Sequence, residues 1–227
     1  MKYHINLDIE LKRNPYKGLY IALEGVDGSG KTTQSEELQK FLSQKGRSFV
    51  VTSEPRREGP IGSLIHQILQ GKVRVPSDSL QYLYTAERLI NHHDVIIPTL
   101  EKGDIVISHR CLWSNLPYGM LDRKMADYDS NEARVIDVAH GLLSLYHQFI
   151  VPDLTFYLKV SPEVAMERLQ NTRGVKEMYE KKEKIARVVK GYDWEVKRFP
   201  EEFISIDAEK SIAEVAANIV KKVEEKL

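Results

Sequence analysis

The stretch LYIALEGVDGSGKTT, from Leu19 to Thr33, constrains this chain more than any other. An apolar, β-prone run ends in a glycine-rich loop, and the loop opens into a helical pattern. The spacing G-x-x-x-x-G-K-[ST] lies within it, from Gly25 to Thr32. Glycines let such a loop turn tightly and bring backbone N–H groups against phosphate oxygens. The helix that follows adds unpaired donors and a partial positive charge. In this arrangement Lys31 reaches the β- and γ-phosphates, and the Thr32 hydroxyl ligates Mg²⁺. An ordinary strand–turn–helix joint would leave the Gly-Lys-Thr-Thr run unexplained. Gly25, Val26, Asp27, Gly28, Ser29, Gly30, Lys31, Thr32 and Thr33 are therefore expected to bind a nucleoside triphosphate.

Strand and helix patterns alternate from there on. Strands are expected at 19–23, 47–52, 104–108, 154–160 and 203–206. Helices are expected at 32–45, 61–69, from Pro76 to about Glu101 with a kink at Pro98, at 131–147, from Pro162, at 177–197 and at 212–226. Ser161 and Pro162 make a helix start, as N-cap and first helical residue. Alternation of apolar strands with helices means α/β architecture: a five-stranded parallel sheet with helices on both faces, three layers in all. Ligands in such folds sit beyond the carboxyl ends of the strands. That brings together Glu24–Thr32, Ser53–Arg57, Ser108–Arg110 and Lys159–Ser161. Residues 1–18 read as an N-terminal extension and 19–227 as one domain. Its charged stretch is the candidate for a short lid, at about 171–185.

Composition narrows the class. Lys+Arg and Asp+Glu both total 33, so the formal net charge is zero, which argues against a nucleic-acid-coating or polybasic membrane protein. No apolar run is long enough to span a bilayer, and the N-terminus lacks the apolar core of a signal peptide. The single cysteine, Cys111, excludes an intramolecular disulfide and reads as a buried filler. With nucleotide binding, this points to the cytoplasm. His92 and His93 are neighbours on a helix and do not face one ligand.

Four segments in order resemble the thymidylate kinase family of P-loop nucleoside monophosphate kinases: LEGVDGSGKTTQ, SEPRREGPIGSLIHQILQGK, LYTAERLINHHDVIIPTLEKGDIVISHR and VPDLTFYLKVSPEVAMERL. The likeness covers nearly the whole chain from Tyr20. It implies the P-loop NTPase fold and transfer of the ATP γ-phosphoryl group to dTMP, with Mg²⁺. By the same resemblance Lys31 stabilises the transferring group, Thr32 and Asp27 hold the metal, and Asp27 approaches the acceptor's sugar. Arg110 contacts the acceptor phosphate, and Arg56 or Arg57 does so from the Glu-Pro segment around Glu54. Tyr84 and Arg88, one helical turn apart, face the base together, and Tyr118 closes over the nucleoside. The phosphate loop holds no Arg, so the lid region is expected to supply one. Arg168 and Arg173 are the candidates, with Lys176 a further one, and the catalytic set becomes Lys31, Asp27, Arg110 and Arg173. The resemblance also implies a homodimer. Alternatives are the same chemistry with another pyrimidine monophosphate as acceptor, or a non-catalytic homologue that binds nucleotide without turnover.

Three positions depart from the family pattern. Its Asp-Arg-Tyr triplet reads His109-Arg110-Cys111 here, the Gln after the Tyr118 aromatic is Gly119, and the Asp or Asn before Arg88 is Glu87.

Overall fold

The first strand, β1 (Tyr20–Glu24), is buried at all five residues. Successive side chains of a strand point to opposite faces, so both faces of the sheet are covered at its centre. The computed structural model describes residues 10–123, 128, 132–172 and 178–227. Five parallel strands form its sheet, in the order β2-β3-β1-β4-β5, where β2 is Phe49–Ser53, β3 Ile105–His109, β4 Leu154–Lys159 and β5 Ile204–Asp207. Registers such as Ala22 opposite Ser108 and Thr155 bring all carboxyl ends to one side. The edge strands β2 and β5 are the least covered, and in β2 Val50 and Val51 are exposed, as befits a strand with one neighbour.

The described helices are α1 (Lys31–Gln44), α2 (Gly59–Leu69), α3 (Leu80–Asn91), α4 (Ile97–Glu101), α5 (Asn115–Asp122), α6 (Glu132–Leu143), α7 (Pro162–Thr172), α8 (Lys182–Arg198) and α9 (Ile212–Glu224). Helix α1 packs against α9, while α8 packs against α5 and α7. The charged α8 buries one stripe, Ile185, Val188, Val189, Tyr192 and Glu195, at the spacing of a single helical face. Each fully buried aliphatic or aromatic side chain in this core, Trp113 and Leu23 among them, contributes roughly 1.5–3 kcal/mol.

Most expected elements lie within a few residues of their observed bounds. The long helix from Pro76 is instead a short 3₁₀ turn, α3, a π turn at His92–Ile96 and then α4. The wide turn lies just before Pro98, whose missing N–H cannot continue an ordinary ladder. Helix α5 has no counterpart among the expectations: Pro117 and Gly119 hide it. Proline is tolerated in the first turn, and the helix is held by burial of all eight residues rather than by propensity. Part of the expected extension is docked. The Lys12 carbonyl accepts from the Val151 N–H, Arg13 pairs with Glu202, and Asn14 donates to Asp153.

Candidate active site

The loop between β1 and α1 takes the shape its glycines permit. Gly28 has φ 83°, and a Cβ there would lie 2.4 Å from the Ala165 carbonyl oxygen of α7. Gly30, at φ 96°, is the residue from which α1 starts, and its carbonyl accepts from the Gln34 N–H. The first-turn N–H groups of α1 are left without helical partners. They face a cavity of about 580 Å³ lined by the loop, Thr32 and Thr33 on one side. Arg168 and Thr172 of α7, with Lys210, Ile212 and Val215 at the start of α9, line the other. Arg168 sits in the last turns of α7, where it donates to the Ala208 carbonyl at 2.9 Å. Arg173 and Lys176, and much of the expected lid, lie outside the described residues.

A second cavity, about 180 Å³, opens beyond the ends of β3 and β2. Asp27 borders both cavities. Arg110 lines the second and reaches back to the loop. One of its Nη atoms donates to Asp27 at 2.8 Å and to the Tyr118 hydroxyl at 2.9 Å, and the other to the Gly25 carbonyl at 2.8 Å. Its guanidinium lies 4.9 Å from the centre of the Tyr118 ring. The residue itself has φ 75°, unusual for a side chain with a Cβ. Lys31 donates to the Gly25 and Val26 carbonyls at 2.9 and 2.8 Å and lies 3.9 Å from Asp27.

Behind Arg110 is a buried scaffold that the sequence reading missed. Glu24, at the end of β1, accepts from the Cys111 N–H, the Ser114 hydroxyl and the Tyr192 hydroxyl, all within 2.8 Å. Tyr192 in turn accepts from Arg110 at 3.2 Å. A lone carboxylate closing the otherwise apolar run YIALE was the available signal for Glu24. The buried stripe of α8 was the signal for Tyr192. Cys111 is fully buried, and burial, reinforced by Glu24 and Glu54, pushes its thiol up.

The second cavity collects most of the expected acceptor residues: Asp27, Glu54, Arg57, Tyr84, Arg88, Arg110 and Tyr118. Arg56 is the exception. It turns away, donating to Glu87 at 2.9 Å and reaching Asp94 at 3.5 Å, outside the cavity wall. Of the Arg56/Arg57 pair, Arg57 is the one at the cleft. Glu87, one of the three departures from the family pattern, is what holds Arg56 aside. Arg88 is buried, with its Nε on Glu54 and an Nη on the Cys111 carbonyl at 3.1 Å. Burial opposes its charge, but Glu54, Tyr146 and Cys111 together outweigh that and raise its pKa. Burial also raises Glu54 itself, while Arg88 pulls it back. The remaining Arg88 Nη1 is buried with no partner among the described residues. His109, at the end of β3, lines the same cleft with its Nε2 unpartnered among the described residues. Burial lowers its pKa to about 4, helped by Lys31 and Arg110, so the ring is neutral near pH 7. Among the described residues no group of three or more His, Cys, Asp or Glu side chains could hold a metal ion by itself. Thr32 and Asp27 nonetheless offer hard oxygen donors beside the first cavity, the set suited to a cation shared with phosphates.

Two clefts meeting at one phosphate-binding loop suit transfer between two bound nucleotides. The sequence model of the family described as thymidylate kinase matches residues 23–219. The chain belongs to the thymidylate kinase family. It is 34% identical to a thymidylate kinase of an Exiguobacterium species over 202 residues, 86% of this chain and 89% of that one. It is also 34% identical to a probable thymidylate kinase of Methanosarcina barkeri over 212 residues, 91% and 96% of the two chains. With a thymidylate kinase of Caldanaerobacter subterraneus it shares 30% identity over 212 residues, 93% and 97% of the two. The family match, residues 23–219, spans the lining residues of both clefts as well as His109 and Gly119.

Proposed function

We propose that this chain carries out its family's reaction, transfer of the ATP γ-phosphoryl group to dTMP to give dTDP, in the two clefts that meet at Asp27. One observation carries the reading. A single guanidinium, Arg110, touches both the loop carbonyl of Gly25 and the acceptor-cleft residue Tyr118. ATP enters the larger cavity with its phosphates on the Gly25–Thr33 loop and its base between Arg168 and Ile212. The dTMP base enters the smaller one along Tyr84, with a carbonyl oxygen on the orphan Nη1 of Arg88, and its phosphate meets Arg57 and Arg110. Thr32 and Asp27 hold Mg²⁺, which when bound neutralises phosphate charge.

In the reaction, Lys31 leaves the loop carbonyls for the transferring group, where fixed positive charge lowers the barrier. A bidentate contact from Arg110 orients the attacking acceptor phosphate. Neutral His109 does not repel Lys31 or Arg110. An arginine from the lid segment, Arg173, completes charge neutralisation as water is excluded. The enzyme works in the cytoplasm, where its substrates are made and a buried free thiol persists. Among the described residues no helix is long and apolar enough to cross a membrane. It forms a homodimer, for which the exposed Tyr82 and Ile90 of α3 offer apolar surface.

ADP production from ATP and Mg²⁺, with dTMP, dUMP, dCMP, UMP, CMP, dGMP and dAMP in turn, tests the reading. Strong preference for dTMP supports it. Preference for another monophosphate keeps the transfer and replaces the acceptor. Protein that binds ATP but turns over none of them is a non-catalytic homologue.

A further inference from the structure

Gln81 is fully buried on α3, three residues before Tyr84 and seven before Arg88, and so on the same helical face. All three line the acceptor cleft. The Gln81 amide is oriented by its neighbours. Its Nε2 donates to Asp122 Oδ2 at 2.9 Å, and the other oxygen of Asp122 accepts from the Tyr179 hydroxyl at 2.7 Å. Two donors converge on one carboxylate, which fixes the amide nitrogen toward Asp122. The other end of the amide, Oε1, is buried without a partner among the described residues. A buried carbonyl in that state calls for a donor. Of the cleft's buried side-chain atoms that lack a partner among the described residues, α3 supplies two, the acceptor Gln81 Oε1 and the donor Arg88 Nη1, beside ring nitrogens of His66 and His109.

Space at the neighbouring helix agrees. A Cβ on Gly119 would lie 2.8 Å from Leu142 Cδ1 and 3.3 Å from Gln81 Cδ, so Leu142, with Gln81 beside it, fills the room a side chain at 119 would need. We propose that Gln81 is a specificity-determining residue that accepts a hydrogen bond from the ring N3–H of the acceptor base, with Asp122 as the positioning residue that sets the amide. This rests on the reading of the smaller cleft as the acceptor site. Thymine and uracil carry an O4 acceptor beside an N3–H donor, which match the two orphans. Cytosine carries an amino donor and a bare N3 acceptor there, and mismatches both.

Two variants test it, with initial rates measured against dTMP and dCMP at saturating ATP and Mg²⁺, and thermal melts to establish folding. Gln81→Met removes the acceptor and is expected to narrow the dTMP-over-dCMP preference about tenfold through the KM for dTMP, with the KM for ATP unchanged. In Asp122→Asn, the new amide keeps an acceptor for Tyr179 and offers a donor to Gln81 Oε1. The Gln81 amide then turns its Nε2 toward the base, and dCMP gains on dTMP by about tenfold or more. Equal changes for both acceptors in a folded variant would make Gln81 structural and overturn the proposal, while a wild type that prefers dTMP would keep the acceptor reading. If Asp122→Asn does not fold, Gln81→Met decides alone. A wild type that neither binds nor phosphorylates dTMP overturns the acceptor reading and this proposal together.

Discussion

The two clefts are built by different means. The proposed triphosphate side is wide, about 580 Å³, and beside loop amides and helix-start N–H groups it is lined by Thr32, Thr33 and three cationic side chains, Lys31, Arg168 and Lys210. The acceptor side is narrower, about 180 Å³, and its groups are buried side chains tied to one another: Arg88 to Glu54, Gln81 to Asp122, Arg110 to Asp27 and Tyr118. Backbone recognition of phosphate needs only a local conformation. Recognition of a base by side chains needs a tertiary assembly in which every member is held by another. The first is inexpensive to specify and general; the second is selective and fragile.

The largest effect expected from this contrast is on the triphosphate side. Lys31→Ala should lower kcat by about a hundred- to a thousandfold while the melting curve stays that of the wild type. Near-normal turnover in that variant would break the contrast at its root. Next comes Arg88→Met, which removes the orphan donor and leaves Glu54 alone. The KM for dTMP should rise about ten- to a hundredfold, the range for a hydrogen bond from a charged group, with the KM for ATP unmoved. Equal loss for both substrates would mean that Arg88 only supports the fold.

Stability should follow pH through the side-chain-built half. His92 stacks edge-on against Phe149 and lies 3.9 Å from Glu54. Burial lowers it from 6.5 to about 4. Between those values the unfolded chain binds the extra proton, so stability is fully present above pH 6.5 and falls as pH drops toward 4. Chemical denaturation at pH 7 and 5 should show the loss, and His92→Gln should flatten the difference. An unchanged slope in that variant would move the effect elsewhere.

The smallest effect has the opposite sign. Glu195, on the α8 face packed toward α5, is fully buried with neither oxygen partnered among the described residues, and burial pushes its pKa well up. The folded state keeps a proton that the unfolded chain releases above about pH 4.5, so this carboxyl costs more stability as pH rises. Glu195→Gln should raise Tm at pH 8, by about 2–4 °C for each kcal/mol regained, and should raise it less at pH 5. A lower Tm at pH 8 would show that the carboxylate has a use which burial alone does not suggest.

Legibility in the sequence divides along the same line. The strand, loop and first helix of the triphosphate side were readable because each is fixed by residues within a few positions of one another. The parallel sheet was readable from alternation. The wall opposite the loop was not, since Lys210 and Ile212 arrive from the far end of the chain. On the acceptor side, Tyr84 and Arg88 were legible as a helical pair. Arg57 could not be separated from Arg56, because Glu87 and Asp94, which hold Arg56 away, are distant in sequence. Helix α5 escaped because Pro117 and Gly119 argue against a helix that only burial sustains. Gln81 carried no local signal at all; its meaning depends on Asp122 and Tyr179.

Arg110 gives this a practical edge for anyone engineering the protein. A left-handed backbone at φ 75° is the kind of position that stabilisation protocols convert to glycine, since strain there costs about 1–2 kcal/mol. Here the same change would strip the guanidinium that ties the Gly25 carbonyl to the acceptor cleft and strand its partners Asp27 and Tyr118. Position 110 is thus a poor target for thermostabilisation, and a library that enriches for glycine at it would be selecting for heat resistance at the expense of turnover.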